Sequence, residues 1–170
     1  MSAATMVSLE EYLETVYEPD CDFVDGQLEE RALGEWKHGE LQMLIGAYLI
    51  GRYRGQGVSV ISELRVRVTP SRVRIPDLAI YLEDPQQRVP TVPPYIAIEI
   101  LSPDDRMSRI EKRIADFLNM GAKHVWLIDP ETRQAYTATA EEGLREVKSG
   151  VLRTADPVIE LPLSEAFGVS

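Results

Sequence analysis

The chain has 170 residues, 44% hydrophobic and 27% charged, with 28 Asp and Glu against 18 Lys and Arg for a formal net charge of −10. This fits one domain with a substantial core and argues against disorder and against a protein that grips nucleic acid by bulk positive charge. One cysteine, Cys21, excludes an intramolecular disulfide framework and Cys-rich zinc sites, and no run approaches the roughly 18 apolar residues of a membrane span. The first residues lack the basic-then-apolar order of a signal peptide, which predicts a cytoplasmic protein. The acidity is local. Residues 1–30 carry nine acids and no Lys or Arg, while Arg52 to Arg74 spans six arginines and one acid, Glu63.

In chain order, Ser8-Leu9-Glu10-Glu11 has the form of a capping box and predicts a short helix to about Val16, ended before Pro19. Asp25-Gly26 between apolar residues predicts a hairpin. Leu41, Leu44, Ile45, Tyr48 and Leu49 recur at helical spacing and predict a long helix over 36–53, stopped by Gly55 and Gly57. Strands are expected over 58–68, 74–82 and 95–101, with a Pro-rich loop at 85–94. An amphipathic helix over 105–120 closes at Gly121, a buried strand follows at 125–129, and 134–139 with 144–148 read as a closing hairpin. The order predicts an α/β fold with a central mixed β-sheet flanked by helices, in a single domain over 1–170 with an N-terminal helical appendage at 1–20.

The strands RIPDLAIYL and YIAIEIL carry the most informative pattern. Partners in an antiparallel pair have a constant sum of residue numbers, and a sum of 176 sets Asp77 opposite Glu99, Ala79 opposite Ala97 and Tyr81 opposite Tyr95. One face then reads carboxylate, alanine, tyrosine on both strands, and the other is aliphatic. Facing carboxylates repel unless a cation lies between them or one stays protonated. A hard cation such as Mg²⁺ fits that chemistry, with divergent surface carboxylates as the alternative.

On the 105–120 helix, Met107, Ile110, Ile114, Phe117 and Leu118 share one arc. Arg113 borders it and is placed to reach back toward Glu99, or to snorkel at the core edge, whereas Lys112 points to solvent. His38 flanks the apolar face of the long helix, where a core or helix-end role is the plain alternative to a functional one. His124 reads as structural. Ser102 has no evident triad partners, and the two histidines offer no zinc spacing.

Asp22-x-x-Asp25-Gly26, His38-Gly39, Ile75-Pro76-Asp77, Ile98-Glu99-Ile100-Leu101-Ser102-Pro103, Arg106, and Gly121 with Val125-Trp126-Leu127-Ile128-Asp129-Pro130 stand in this order in the chain. In these motifs it resembles the putative restriction endonuclease family of the PD-(D/E)XK nuclease superfamily, over roughly residues 20–165. The resemblance implies a restriction endonuclease-like fold and a Mg²⁺- or Mn²⁺-dependent DNA endonuclease that works as a homodimer. Asp77 and Glu99 would be metal ligands, the Ile100 carbonyl a further one, and His38 the helix histidine near the site. The Lys usual two residues after the Glu is Leu101 here, and the family's helix lysine falls on Arg113, with Lys112 one place away. The first acid of the Glu-x-x-Asp-Gly motif is shortened to Asp22. These departures keep a second reading open, a catalytically impaired nuclease fold acting as a binding or dimerisation module. Weak, salt-sensitive nonspecific DNA binding is expected from the acidity.

Overall fold

A computed structural model describes residues 6–32 and 34–168. Helix α1 (Leu9–Glu14) leads to the hairpin β1 (Cys21–Val24) and β2 (Gln27–Glu30), then to α2 (Trp36–Tyr53) and a 3-10 turn. Strands β3 (Ser59–Ser62), β4 (Val66–Thr69), β5 (Arg72–Arg74), β6 (Leu78–Tyr81) and β7 (Ile96–Ile100) follow. After α3 (Met107–Met120) come β8 (His124–Asp129), β9 (Gln134–Thr139) and β10 (Gly143–Glu146), then β11 (Val151–Arg153), β12 (Glu160–Pro162) and α4 (Leu163–Phe167). Among the described residues no helix is long and apolar enough to cross a membrane.

The six-stranded sheet β10-β9-β8-β7-β6-β3 carries the core. Its β7–β8 pair is parallel and its other pairs are antiparallel, because α3 provides the crossover that parallel neighbours require. All five residues of β7 are buried, as in a central strand covered on both faces. One face packs Leu78, Ile80, Ile96 and Ile98 against Leu41, Ile45 and Leu49 of α2, with α4 beside them. The other packs Ala97, Val125 and Leu127 against Ile110, Ile114 and Phe117 of α3 and Val66 and Val68 of β4. This is the α/β class that the element order predicts.

Local chemistry sets the elements that frame the site. Ser8 Oγ accepts the Glu11 N–H at 3.1 Å and starts α1. Asp25 and Gly26, with φ of 51° and 89°, form the tight turn of the first hairpin. The N-terminal helix sits on the first hairpin: Tyr12 packs with Phe23 and Val73, and its hydroxyl donates to the Cys21 carbonyl at 2.7 Å. Residues 1–5 of the expected appendage lie outside the described residues.

Two expected strands are each divided. The 58–68 run breaks at Glu63, whose φ of 51° turns the chain out of the six-stranded sheet, so that β4 joins β5, β1 and β2 in a second sheet. The 74–82 run breaks at Ile75-Pro76-Asp77, where Pro76 has no N–H to give to a ladder. The 176 register holds for Leu78–Ile98, Ala79–Ala97 and Ile80–Ile96. It fails at Tyr81 and Tyr95, because the Tyr95 N–H donates instead to the Ile80 carbonyl at 2.7 Å. Tyr95 consequently lies with the α2-side core. Met107 is 51% exposed rather than part of the α3 core arc. The pair β11–β12 and helix α4 lie beyond the expected closing hairpin, and their Leu152, Leu161 and Ala166 complete the α2-side core.

Candidate active site

The β6–β7 register brings Asp77 and Glu99 to neighbouring strand ends, both nearly fully buried. They line a cleft of about 530 Å³ together with Arg31, His38, Glu63, Ile100 and Arg113. The Asp77 Oδ1 accepts Arg31 Nη2 at 2.8 Å and lies 3.3 Å from His38 Nε2, while its Oδ2 accepts the Ile100 N–H at 2.7 Å. Burial alone would raise the Asp77 pKa, but His38, Arg31 and the Ile100 N–H outweigh it and hold the carboxyl below its usual value. The same hydrogen bond to Asp77 raises the pKa of His38 against its own burial.

Glu99 is held from α3. Arg113 Nη2 donates to both carboxylate oxygens, at 2.8 and 3.0 Å, and Nε reaches Oε1 at 3.2 Å. Nη2 also donates to the Ile75 carbonyl at 2.8 Å, and Nη1 pairs with Asp22. Burial pushes the Glu99 pKa up to about 7, with Arg113 opposing and the Asp77 charge adding to the rise. For Arg113, burial favours the neutral form, but Glu99 and Asp22 outweigh it and keep the guanidinium charged.

Behind Arg113 lies a buried ion network absent from the motif reading. Arg74, 2% exposed, donates to Asp116 Oδ2 at 2.7 Å, Asp22 Oδ2 at 3.0 Å and Glu29 Oε2 at 2.8 Å. Asp22 also accepts the Ile75 N–H at 3.1 Å. The shortened acid of the first motif thus joins two arginines and ties β1 to the turn before Asp77.

The structure brings Asp77, Glu99, Ile100, Arg113 and His38 together, but not Lys112, which is exposed on α3 with no ion-pair partner among the described residues. Arg31, Glu63 and Gln42 are the residues that motif reading misses. Arg31 bridges Asp77 and Glu63, and Gln42 Nε2 donates to Glu63 Oε1 at 2.8 Å and to the Asp77 carbonyl at 2.9 Å. The only sequence hint is that Arg31 is the first basic residue after nine acids. Much of the arginine-rich run is spent internally: Arg65 pairs with Asp20, Arg72 with Asp25 and Asp116, and Arg74 is buried. Cys21 is buried, burial pushes its thiol pKa up, and His124 packs edge-on against Tyr95 at 5.4 Å.

Among the described residues no three His, Cys, Asp or Glu side chains cluster as a metal cage. The donor set nevertheless fits Mg²⁺, which binds through one or two carboxylates and keeps several waters. Asp77, Glu99 and Ile100 all line the cleft, and two carboxylates with a backbone carbonyl make the oxygen donor set that Mg²⁺ prefers.

The chain has a mixed α/β fold in which Asp77, just before β6, and Glu99 of β7 stand at neighbouring strands of the central sheet. The chain belongs to the Uma2 family, described as "Putative restriction endonuclease", whose profile matches residues 9–168. It is similar in fold to a putative nuclease belonging to DUF820 from Anabaena variabilis ATCC 29413, with a TM-score of 0.84 at 19% identity over 95% of this chain and 97% of that one. A cryo-electron-microscopy structure of a DrdV–DNA complex aligns with a TM-score of 0.43 at 19% identity, over 62% of this chain and 9% of that one. No protein of curated function matches the sequence.

Proposed function

We propose that this protein is a Mg²⁺- or Mn²⁺-dependent DNA endonuclease acting as a homodimer. One observation supports the reading: Asp77, just before β6, and Glu99 of β7 line one cleft from neighbouring strands, with Arg113 reaching Glu99 from α3. Asp77, Glu99 and the Ile100 carbonyl would hold the cation, which when bound polarises a phosphoryl oxygen and lowers the pKa of a water.

The protein's own groups supply positioning and charge. Arg113 fixes the orientation of Glu99, which lines the cleft, and Asp22 fixes Arg113 in turn. His38 holds a proton at Nε2 against Asp77 Oδ1. Arg31 and Arg109 both line the cleft and are placed to meet phosphate oxygens. Arginine does not accept a proton at neutral pH, so Arg113 acts in charge stabilisation and not as a general base.

The second reading, a catalytically impaired binding or dimerisation module, draws on a different observation. Every arginine or lysine that reaches the two carboxylates is an arginine, and Lys112 is exposed. Supercoiled plasmid incubated with Mg²⁺ or Mn²⁺ separates the two. Metal-dependent nicking that disappears in Asp77→Ala is expected, and cleavage no greater than that of the variant overturns the catalytic reading. Calorimetric titration with Mg²⁺ alone gives the cheaper test, since binding heat unchanged in Asp77→Ala removes the metal site itself.

A further inference from the structure

Helix α2 has two opposite faces. Leu41, Ile45, Leu49 and Tyr53 are buried in the core. Diametrically opposite run Trp36, Glu40, Met43, Ala47, Ile50 and Arg54, all exposed, with Trp36 at 82% and Met43 at 73%. Arg54 keeps helical dihedrals at the C-cap, so the stripe spans the whole helix. Its intervals alternate between four and three residues, which keeps the stripe on one face of the helix as in a coiled-coil seam, and Trp36, Met43 and Ile50 give that face its apolar surface. Exposed large apolar side chains in such a row mark an interaction surface.

We propose that this seam pairs with the same seam of a second copy, antiparallel about a two-fold axis. The sequence of the stripe is complementary to its own reverse. Partners then have residue numbers summing to 90, so Trp36 meets Arg54, Glu40 meets Ile50 and Met43 meets Ala47. The guanidinium of Arg54 covers the indole face of Trp36. The long Met43 side chain fills the space left by Ala47. Glu40 covers Ile50 with its stem and reaches Arg54 of the second copy one layer along. Among the described residues neither Glu40 nor Arg54 has an ion-pair partner within its own chain. A parallel pairing would stack Glu40 on Glu40 and Arg54 on Arg54, so the charges select the antiparallel arrangement. The acid in the middle of the seam likewise disfavours duplex DNA as its occupant.

This inference supplies a surface for the homodimer proposed above and requires no hydrolysis. A helix of this length spans about 27 Å. One such seam is a small interface, so the dimer dissociates in the micromolar range. Sedimentation equilibrium of the full chain, from about 1 to about 200 µM, tests it without metal or DNA. The expected result is a monomer–dimer equilibrium that Met43→Glu weakens at least about tenfold. Glu40→Arg and Arg54→Glu each weaken it similarly, and the double reversal recovers most of the loss, less the part due to the Trp36–Arg54 contact. All three positions are exposed, so unchanged thermal unfolding serves as the control. A protein monomeric throughout the range refutes both the dimer and its seam. A dimer indifferent to all three single changes keeps the homodimer and refutes the seam. A monomer whose duplex binding is lost in Trp36→Ala assigns the stripe to DNA and overturns the proposal.

Discussion

Arg113 is the residue on which stability and site geometry meet, and Arg113→Met isolates its charge while preserving most of its stem. The guanidinium is the only side-chain partner of the Glu99 carboxylate among the described residues, whereas Asp22 retains Arg74 and the Ile75 N–H. The change therefore strands one buried carboxylate and weakens the pairing of another. Removing one partner of a buried ion pair costs about 3–5 kcal/mol. At pH 8 Glu99 must either stay charged without compensation or take up a proton against the solvent, so the full penalty applies there. At pH 5 Glu99 is already protonated in the wild type, since burial and Asp77 hold its pKa near 7. The cost at pH 5 is then smaller than at pH 8 by at most about 1.4 kcal/mol, the free energy of keeping a group of pKa near 7 protonated at pH 8. Urea unfolding at the two pH values measures both figures. Arg113→Lys retains the charge but cannot span Glu99, Asp22 and the Ile75 carbonyl at once, and costs about 1–2 kcal/mol. The Glu99→Gln/Arg113→Met cycle should return a coupling of about 2 kcal/mol. An Arg113→Met variant within about 0.5 kcal/mol of wild type at pH 8, or equally destabilised at both pH values, refutes the ion-pair account.

Three further outcomes follow from the same geometry. Glu99 titrates in the fold at about 7, above its ordinary value of 4.5, so the native protein holds the extra proton between them. Its contribution to stability is present below about 4.5 and lost as the pH rises through 7, and Glu99→Gln should flatten that decline in urea unfolding across pH 5–7.5. An unchanged slope excludes Glu99 as its source. Gly121 caps α3 with φ of 110°, and an added Cβ would meet Pro93 at 3.4 Å, so Gly121→Ala should cost about 1–2 kcal/mol by backbone strain rather than by clash. Thermal unfolding indistinguishable from wild type would show that the cap tolerates a side chain. With Arg31, Arg109 and Arg113 as the cations facing the cleft, the logarithm of duplex affinity should fall against the logarithm of salt with a slope of about −3. A slope steeper than about −5 in fluorescence anisotropy would place the DNA on another surface.

The parts of the fold set by local periodicity were legible in the sequence. Helix α2 lies at 36–53 because its apolar spacing is uninterrupted, and the Asp25-Gly26 turn and the 176 register follow from turn chemistry and the strand pattern. The breaks at Glu63 and at Ile75-Pro76-Asp77 were not legible, because each depends on where a strand goes next and not on its own composition. Glu63 reads as the midpoint of an alternating strand. Its left-handed backbone makes sense only beside the Asp77 carbonyl, which accepts its N–H at 3.3 Å, and beside Arg31 and Gln42. Within the site, residues in short motifs were identifiable and residues joined only by folding were not. Arg31 lies 46 residues from Asp77 and Arg74 lies 42 from Asp116, and no local pattern encodes either pair. Arg113 was within reach of sequence reasoning because helical geometry fixes its side relative to the buried arc, and the same geometry sends Lys112 to solvent.

The net charge gains a different meaning once the pairings are known. Beyond residue 30 acids and bases nearly balance, which on composition alone would leave a neutral surface with an arginine-rich strand region for DNA. The arginines of that region, however, largely face inward or lie across acids from the first 30 residues: Arg65 on Asp20, Arg72 on Asp25, and Arg74 on Asp22 and Glu29. The acidic N-terminal segment is therefore the counter-charge of the strand region, and each offsets the other's field at long range. At the cleft the same local pairing recurs, with Arg31 held by Asp77 and Glu63 and Arg113 held by Glu99 and Asp22. A polyanion approaching this protein would meet little attraction until a cation joins those carboxylates. On the proposed reading a divalent metal would govern phosphate binding as well as hydrolysis, and the acidity of the chain is compatible with that reading because the charge that matters would be supplied at the site.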